Sequence, residues 1–255
     1  MALDLVTFGE AMALLLAEPG VPLRRAVTFR RQVAGAESNV TVALARLGHP
    51  VGWFAPSDVD ARYLAGAGWL HASGVTPVLS GSAADATVAA VEAARAAGVR
   101  VCLSANVRRR LSPPPVAARL LRPLAARADV LVATEEEALL LADAGDLADA
   151  VDRLLARGVG LIVITRGARG AWATDGKARF EVAPFPVCAV DPVGAGDAFA
   201  AGLLSGLIRR LPTGGALREA AAVAALCAAA PGDLDGLPTA AERDAYLKGG
   251  ADVAR

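Results

Sequence analysis

The sequence predicts an α/β fold: one domain on an open, mostly parallel sheet with helices on both faces. Short apolar runs alternate with longer segments of helical period along nearly the whole chain. Several runs, such as those at 99–103 and 161–165, are almost continuously apolar, as strands covered on both faces must be. A length of 255 residues, 55% of them hydrophobic and 20% charged, suits one large packed core rather than a disordered or fibrous chain.

The elements follow in order. Residues 3–8 read as the first strand, and 36–47 as a helix with Val40, Ala43, Leu44 and Leu47 on one face, closing at Gly48. Strands are expected at 51–54 and 69–72, then a helix at 82–97 stopped by Gly98, which suits a left-handed C-terminal cap. Strands at 99–103, 130–133 and 161–165 alternate with helices near 114–127, 135–142 and 147–157. Residues 171–174 and 178–182 form a hairpin pattern turned at Asp175-Gly176, and helices resume at Gly196. Ser112-Pro113-Pro114-Pro115 reads as a loop entering a helix, not a linker, so 1–255 is taken as a single domain.

Lys plus Arg and Asp plus Glu both number 26, so no global field draws the chain to nucleic acid or an acidic membrane. Any anionic ligand needs a local site. Cys102, Cys188 and Cys227 are widely spaced without metal-ligand pattern and read as buried free thiols, against disulfides and structural zinc. Met1-Ala2-Leu3-Asp4 places an acid where an export signal carries basic residues, and the Ala-rich stretch 220–230 is too short to span a membrane; the expected location is the cytoplasm.

In open α/β sheets ligands bind at the carboxyl ends of strands, so site residues are sought in the loops there. The strongest signal is Asp191-Pro192-Val193-Gly194-Ala195-Gly196-Asp197, followed by a helical pattern. Gly194 and Gly196 let backbone approach a ligand closely, and the helix start offers unpaired N–H groups to an anion. Asp197 at that tip can accept the proton of an attacking hydroxyl while charge builds on a phosphoryl oxygen. A glycine loop before a helix also serves as a plain tight turn, and an Asp there as a plain N-cap. The loop has no Gly-Lys-Ser/Thr and is not a Walker loop, nor is there an early Gly-x-Gly-x-x-Gly.

With Ala198-Phe199 this segment resembles the C-terminal signature of the ribokinase-like PfkB family of carbohydrate kinases. Ala34-Gly35-Ala36-Glu37-Ser38-Asn39-Val40 through Gly48 is similar to that family's N-terminal glycine signature. The resemblance implies a ribokinase-like three-layer α/β/α sandwich and phosphoryl transfer from ATP, with Mg²⁺, to a sugar hydroxyl. Asp197 would be the base, with Gly194, Ala195 and Gly196 as the anion hole. Pro192, the Asn106-Val107-Arg108 triplet and Gly232-Asp233-Leu234-Asp235-Gly236-Leu237-Pro238 look most like the 2-keto-3-deoxygluconate kinase branch, with fructokinase-like relatives close behind. On that basis Gly35 and Asn39 contact sugar hydroxyls, Arg108 takes the substrate carboxylate or a phosphate, and Asp233 lies across the pocket. A monovalent cation beside the loop before Asp197 stays open.

Arg108 starts Arg108-Arg109-Arg110, which by itself is a solvated basic loop; a planar bidentate donor after a strand suits a carboxylate. In Thr134-Glu135-Glu136-Glu137 the acids complement a helix dipole, while Glu137 matches the acid of the family's Asn-x-x-Glu element and would organise Mg²⁺ through water; Thr134 stands where that element has Asn. Thr165-Arg166-Gly167-Ala168-Arg169-Gly170 resembles the nucleotide loop, which makes Thr165, Gly167 and Gly170 the cofactor residues, with Gly194 and Gly196; Arg166 and Arg169 are open between phosphate partners and bystanders. His49 and His71 have no telling Ser, Cys or acid partner and read as structural or surface residues, and Trp53, Trp69 and Trp172 as packing.

One part of the family pattern is missing. Phe54-Ala55-Pro56-Ser57-Asp58 joins directly where the family places a Gly-Asp-Asp segment and a small β-lid, so the lid is absent or omitted at about residues 56–57. A lid closes the sugar site and often builds a homodimer, expected here only where a lid is present. The leading expectation is a sugar or sugar-acid kinase; the rivals are a fructokinase or nucleoside kinase, and a lidless inactive binding relative.

Overall fold

The structure, a computed structural model, describes residues 3–18, 20–58 and 60–249. Met1 and Ala2 of the N-terminal segment, and Val59 in the junction where the family pattern has a lid, lie outside the described residues.

Ten strands and nine helices are described: β1 (Leu3–Phe8), β2 (Met12–Ala17), β3 (Phe29–Ala34), α1 (Ala36–Arg46), β4 (Val51–Phe54), α2 (Ala61–Ala65), β5 (Ala67–Ser73), α3 (Gly81–Ala96), β6 (Arg100–Ser104), α4 (Pro114–Ala125), β7 (Val130–Thr134), α5 (Glu135–Ala142), α6 (Leu147–Ala156), β8 (Leu161–Thr165), β9 (Ala171–Thr174), β10 (Arg179–Val182), α7 (Ala195–Ile208), α8 (Thr213–Ala228) and α9 (Ala240–Leu247). Eight strands form one sheet in the order β10-β9-β8-β7-β6-β5-β1-β4. Its neighbours from β4 to β8 pair parallel, and β9 and β10 add antiparallel.

Strand side chains alternate between faces, and the burial follows that period. Val101 and Leu103, Leu131 and Ala133, and Ile162 and Ile164 enter one core, with Leu64 of α2, Val91 of α3, Leu121 of α4, Leu141 of α5 and Leu154 of α6. Their neighbours Cys102, Val132 and Val163 enter the opposite core, with Leu44 of α1, Phe199 and Leu203 of α7 and Leu217 of α8. The chain thus forms a three-layer α/β/α sandwich. From β1 it passes to the edge strand β4, then returns to β5 on the other side of β1, which opens a crevice at the carboxyl ends of these strands.

A second sheet was not anticipated. β2 and β3 pair antiparallel, from Met12↔Ala34 to Ala17↔Phe29, apart from the main sheet. Gln32 and Arg30 on one face reach Asp235 at 2.9 and 3.1 Å, so the ribbon flanks the loop after α8. Leu15, Phe29 and Val33, on the other face, are exposed. After β4 the chain makes a 3₁₀ turn at Pro56–Asp58, with the Asp58 amide donating to the Ala55 carbonyl at 2.9 Å.

Cys102 and Cys227 are buried, but Cys188 is exposed, correcting the expectation that all three are interior. It lies in the irregular segment between β10 and α7, which has no ladder or helix face to bury it. No helix among the described residues is long and apolar enough to cross a membrane.

Candidate active site

A cavity of about 460 Å³ lies over the ends of β6, β7 and β8 and the start of α7, lined among others by Ser104, Asn106, Arg108, Thr165, Gly194 and Asp197. Gly194 is the N-cap of α7 with φ 78°, a left-handed conformation without penalty only for glycine. A Cβ there would stand 2.9 Å from Asp233 Cα, so the residue also permits two loops to touch. Asp191 holds the loop from the other side, accepting from the Val193 amide and the Gly232 amide, each at 3.0 Å. No side chain caps α7, and the first amides of a helix lack intrahelical acceptors, leaving a positive end beside the cavity that Gly194 and Gly196 line.

Asp197, in the first turn of α7, is only 7% exposed yet lines the cavity. One Oδ accepts from Asn39 Nδ2 at 2.9 Å and the other from Asn106 Nδ2 at 3.2 Å. Burial pushes its carboxyl up to about 6; the Asn39 hydrogen bond, the Arg108 charge and the Asn106 hydrogen bond oppose that rise, and the Asp233 charge adds to it. The result is a carboxylate that is ionised at neutral pH and basic enough to take a proton.

Asn39 projects from α1 and donates with the same nitrogen to Asp233, also at 2.9 Å, joining the two acids. Asn39 Oδ1 and Asp233 Oδ1 are buried without a protein partner, an arrangement suited to hydroxyl donors. Gly35 caps α1 with φ 142°, and a Cβ there would strike the Glu10 carbonyl. Glu37, one turn before Thr41, is fully buried and hydrogen-bonded by Thr76; burial pushes its carboxyl up to about 8.

Other expected residues divide. Arg108 stands on the cavity wall, whereas Arg109 pairs with Glu136 at the surface at 2.8 Å. Thr165 and Gly196 line the cavity. Gly167 opens a 3₁₀ turn with free space about it, but Gly170 serves packing: a Cβ there would strike the Val182 carbonyl. Arg166 and Arg169 face surface acids, Glu181 at 3.9 Å and Glu135 at 2.9 Å. Glu137 lines the cavity, yet both its oxygens accept backbone amides: Thr134 at 2.8 Å in a capping box and Val107 at 2.7 Å. It therefore also anchors the loop that carries Asn106 and Arg108. Ala195 begins α7 but does not line the cavity.

Asn106, read only as part of a triplet, is a site residue: it holds φ 46° and bridges Asp197 and Ser73. An Asn two residues past the end of a strand was the available signal, since Asn tolerates left-handed φ. The histidines do find partners. His49 lies between Asp4 and Ser205 at 2.9 and 3.0 Å, but Ser205 is fully buried and gives its hydroxyl to Glu219 at 2.6 Å, so this is a structural tie. His71 is buried between Thr7 and Ser104.

A mostly parallel α/β sheet with a buried carboxylate at an uncapped helix start over its strand ends suits a phosphotransferase. The chain belongs to the pfkB family of carbohydrate kinases, whose family model matches residues 54–240. It is 29% identical to a 2-dehydro-3-deoxygluconokinase of Bacillus subtilis over 97% of this chain and 96% of that one. A 2-dehydro-3-deoxygalactonokinase of Haloferax volcanii is 28% identical over 98% of each. The crystal structure of a PfkB protein from Polaromonas sp. JS666 superimposes with a TM-score of 0.82 at 30% identity, covering 96% of this chain and all of that one. The alignment with the Bacillus kinase runs to 311 positions against 255 residues here, so that relative carries internal segments this chain lacks.

Proposed function

We propose that this sugar kinase transfers the γ-phosphoryl group of ATP, with Mg²⁺, to a hydroxyl of 2-keto-3-deoxygluconate (2-dehydro-3-deoxygluconate) or a similar sugar acid, with Asp197 as base. The observation that carries the reading is Asp197 itself: a buried carboxylate with a pKa of about 6, clamped by two amides at the mouth of a helix start. Ionised, it accepts the proton of a hydroxyl oriented by Asn39 and Asp233 as that oxygen forms its bond to phosphorus. The start of α7 stabilises the charge that grows on the phosphoryl oxygens. Bound ATP supplies the phosphoryl group, and Gly196 and Gly167, with open space where a Cβ would sit, leave room for phosphates. No three His, Cys, Asp or Glu cluster among the described residues, which suits an ion held mainly by water and phosphate; Glu137 has lone pairs left for such waters.

The acid substrate rests on Arg108, the one arginine of its triplet on the cavity wall, whose charge acts on Asp197. A neutral-sugar reading is supported by a fructokinase of Vibrio alginolyticus, 29% identical over 68% of this chain and 59% of that one. ADP release measured across 2-keto-3-deoxygluconate, fructose and a nucleoside separates them. Arg108→Ala is expected to lower kcat/KM for the sugar acid roughly 10- to 100-fold, as loss of a charged hydrogen bond does, and to lower it far less for fructose. Equal losses would count against the acid, and ATP binding without ADP release on any sugar would leave a binding protein.

A further inference from the structure

Beneath the cavity runs a row of polar side chains across three adjacent strands: Thr7 of β1, His71 of β5 and Ser104 of β6. Thr7 and His71 are sealed from solvent, and Ser104 is the member that reaches the cavity. The hydrogen count along the row is determinate. Thr7 Oγ1 lies 2.9 Å from the His71 backbone carbonyl oxygen, and because a carbonyl can only accept, the single Thr7 hydroxyl hydrogen lies between them. Thr7 Oγ1 also lies 3.3 Å from His71 Nδ1 and has no second hydrogen, so Nδ1 must carry the proton of that contact.

Burial pushes the His71 imidazole down to about 4, so near neutral pH the ring has one N–H, now placed on Nδ1. Nε2 is then a bare lone pair. It sits 3.0 Å from Ser104 Oγ, and that contact needs the Ser104 hydrogen. Ser104 therefore faces the cavity with lone pairs alone.

We propose that Ser104 is an obligate hydrogen-bond acceptor in this cavity, its proton held by the Thr7–His71 relay, and that the ligand atom seated against it is an O–H donor. This rests on the cavity being the catalytic pocket. The donor is either a hydroxyl of the sugar or a water on the metal ion. An anionic oxygen at that place would meet lone pairs, so carboxylate and phosphate belong on the other walls, with Arg108 and the start of α7. The relay makes Ser104 a discriminator of hydroxyl against anion, a role an ordinary serine, free to donate or accept, does not perform.

Two measurements test this. In ¹⁵N-labelled protein at pH 7, two-bond proton–nitrogen correlations of the His71 ring should show Nδ1 protonated and Nε2 bare; an Nε2–H tautomer or an imidazolium overturns the proposal. This readout requires no turnover, so it stands even if the wild type phosphorylates none of the sugars, an outcome that would sink the kinase reading alone. With an active enzyme, Ser104→Ala and Ser104→Thr are compared at varied 2-keto-3-deoxygluconate and varied Mg²⁺. Loss of one hydrogen bond is expected to shift the relevant constant roughly tenfold in the Ala variant, with Thr restoring it. A raised sugar KM identifies a sugar hydroxyl, a raised Mg²⁺ requirement identifies metal-bound water, and unchanged values for both overturn the proposal.

Discussion

The proposed role of Asp197 as base requires it ionised, and burial brings its pKa to about 6. kcat/KM should therefore rise with pH through an acid limb near 6 and level off above it. Arg108 holds that pKa down, so Arg108→Ala should move the limb to higher pH, read from the pH–rate profile of whichever sugar retains activity. Asp197→Asn should lower kcat about 10²- to 10⁴-fold with no such limb. Glu37 carries a second, thermodynamic consequence. Its pKa in the fold, about 8, exceeds the ordinary 4.5, so the native state holds a proton that the unfolded chain releases. That contribution is complete below about 4.5 and is lost as pH rises through 8. His71 runs the other way: lowered from 6.5 to about 4, its contribution is present above 6.5 and is lost as pH falls through 4. Urea unfolding at pH 5 and pH 9 should show wild type losing stability with rising pH relative to Glu37→Gln; parallel curves would refute the buried acid.

At the scale of elements, local chemistry decided how much could be read. The start of α5 was legible from a strand followed by three acids in a first turn, and the structure adds the reason the start is fixed there: Thr134 and Glu137 form a capping box. The hairpin β9–β10 was legible from Asp175-Gly176: Asp175 accepts the amides of Lys177 and Ala178, each at 2.9 Å, and Gly176 takes φ 84°. β2 and β3 were not. Met12 to Ala17 is uniformly apolar, so no period separates strand from helix, and Phe29 to Ala34 is interrupted by Arg30, Arg31 and Gln32. Arg30 and Gln32 meet Asp235, a partner some 200 positions away. The loop before α7 offers the sharpest test at this scale. Gly194→Ala should cost about 1–2 kcal/mol for left-handed φ alone, and pressing a Cβ on Asp233 should shift the loop. The expected outcome is a modest fall in Tm with a much larger fall in kcat.

Across the whole molecule, the end opposite the cavity is tied by charge. Glu219 of α8, almost wholly buried, accepts from Arg243 of α9 at 2.8 Å, from Ser205 of α7 at 2.6 Å and from Arg209 at 3.0 Å. Ser205 continues through His49 to Asp4 at the start of β1. Arg243→Ala leaves a buried carboxylate with weaker compensation and should destabilise by about 3–5 kcal/mol, less what the exposed Arg209 recovers. Chemical denaturation should show a lower midpoint with kcat unchanged, because the tie lies far from Asp197.

The sequence by itself determined the α/β class, the strand and helix alternation, the glycine loop with its acid, and the family, because these depend on periodicity and on residues adjacent in the chain. Only the tertiary structure decided that Asn39 joins Asp197 to Asp233, that Asn106 completes the clamp, that Glu137 is tied to two amides, and that Ser104 is locked by His71. Each of these depends on groups brought together from distant strands, and on burial, which sets which of them hold a proton.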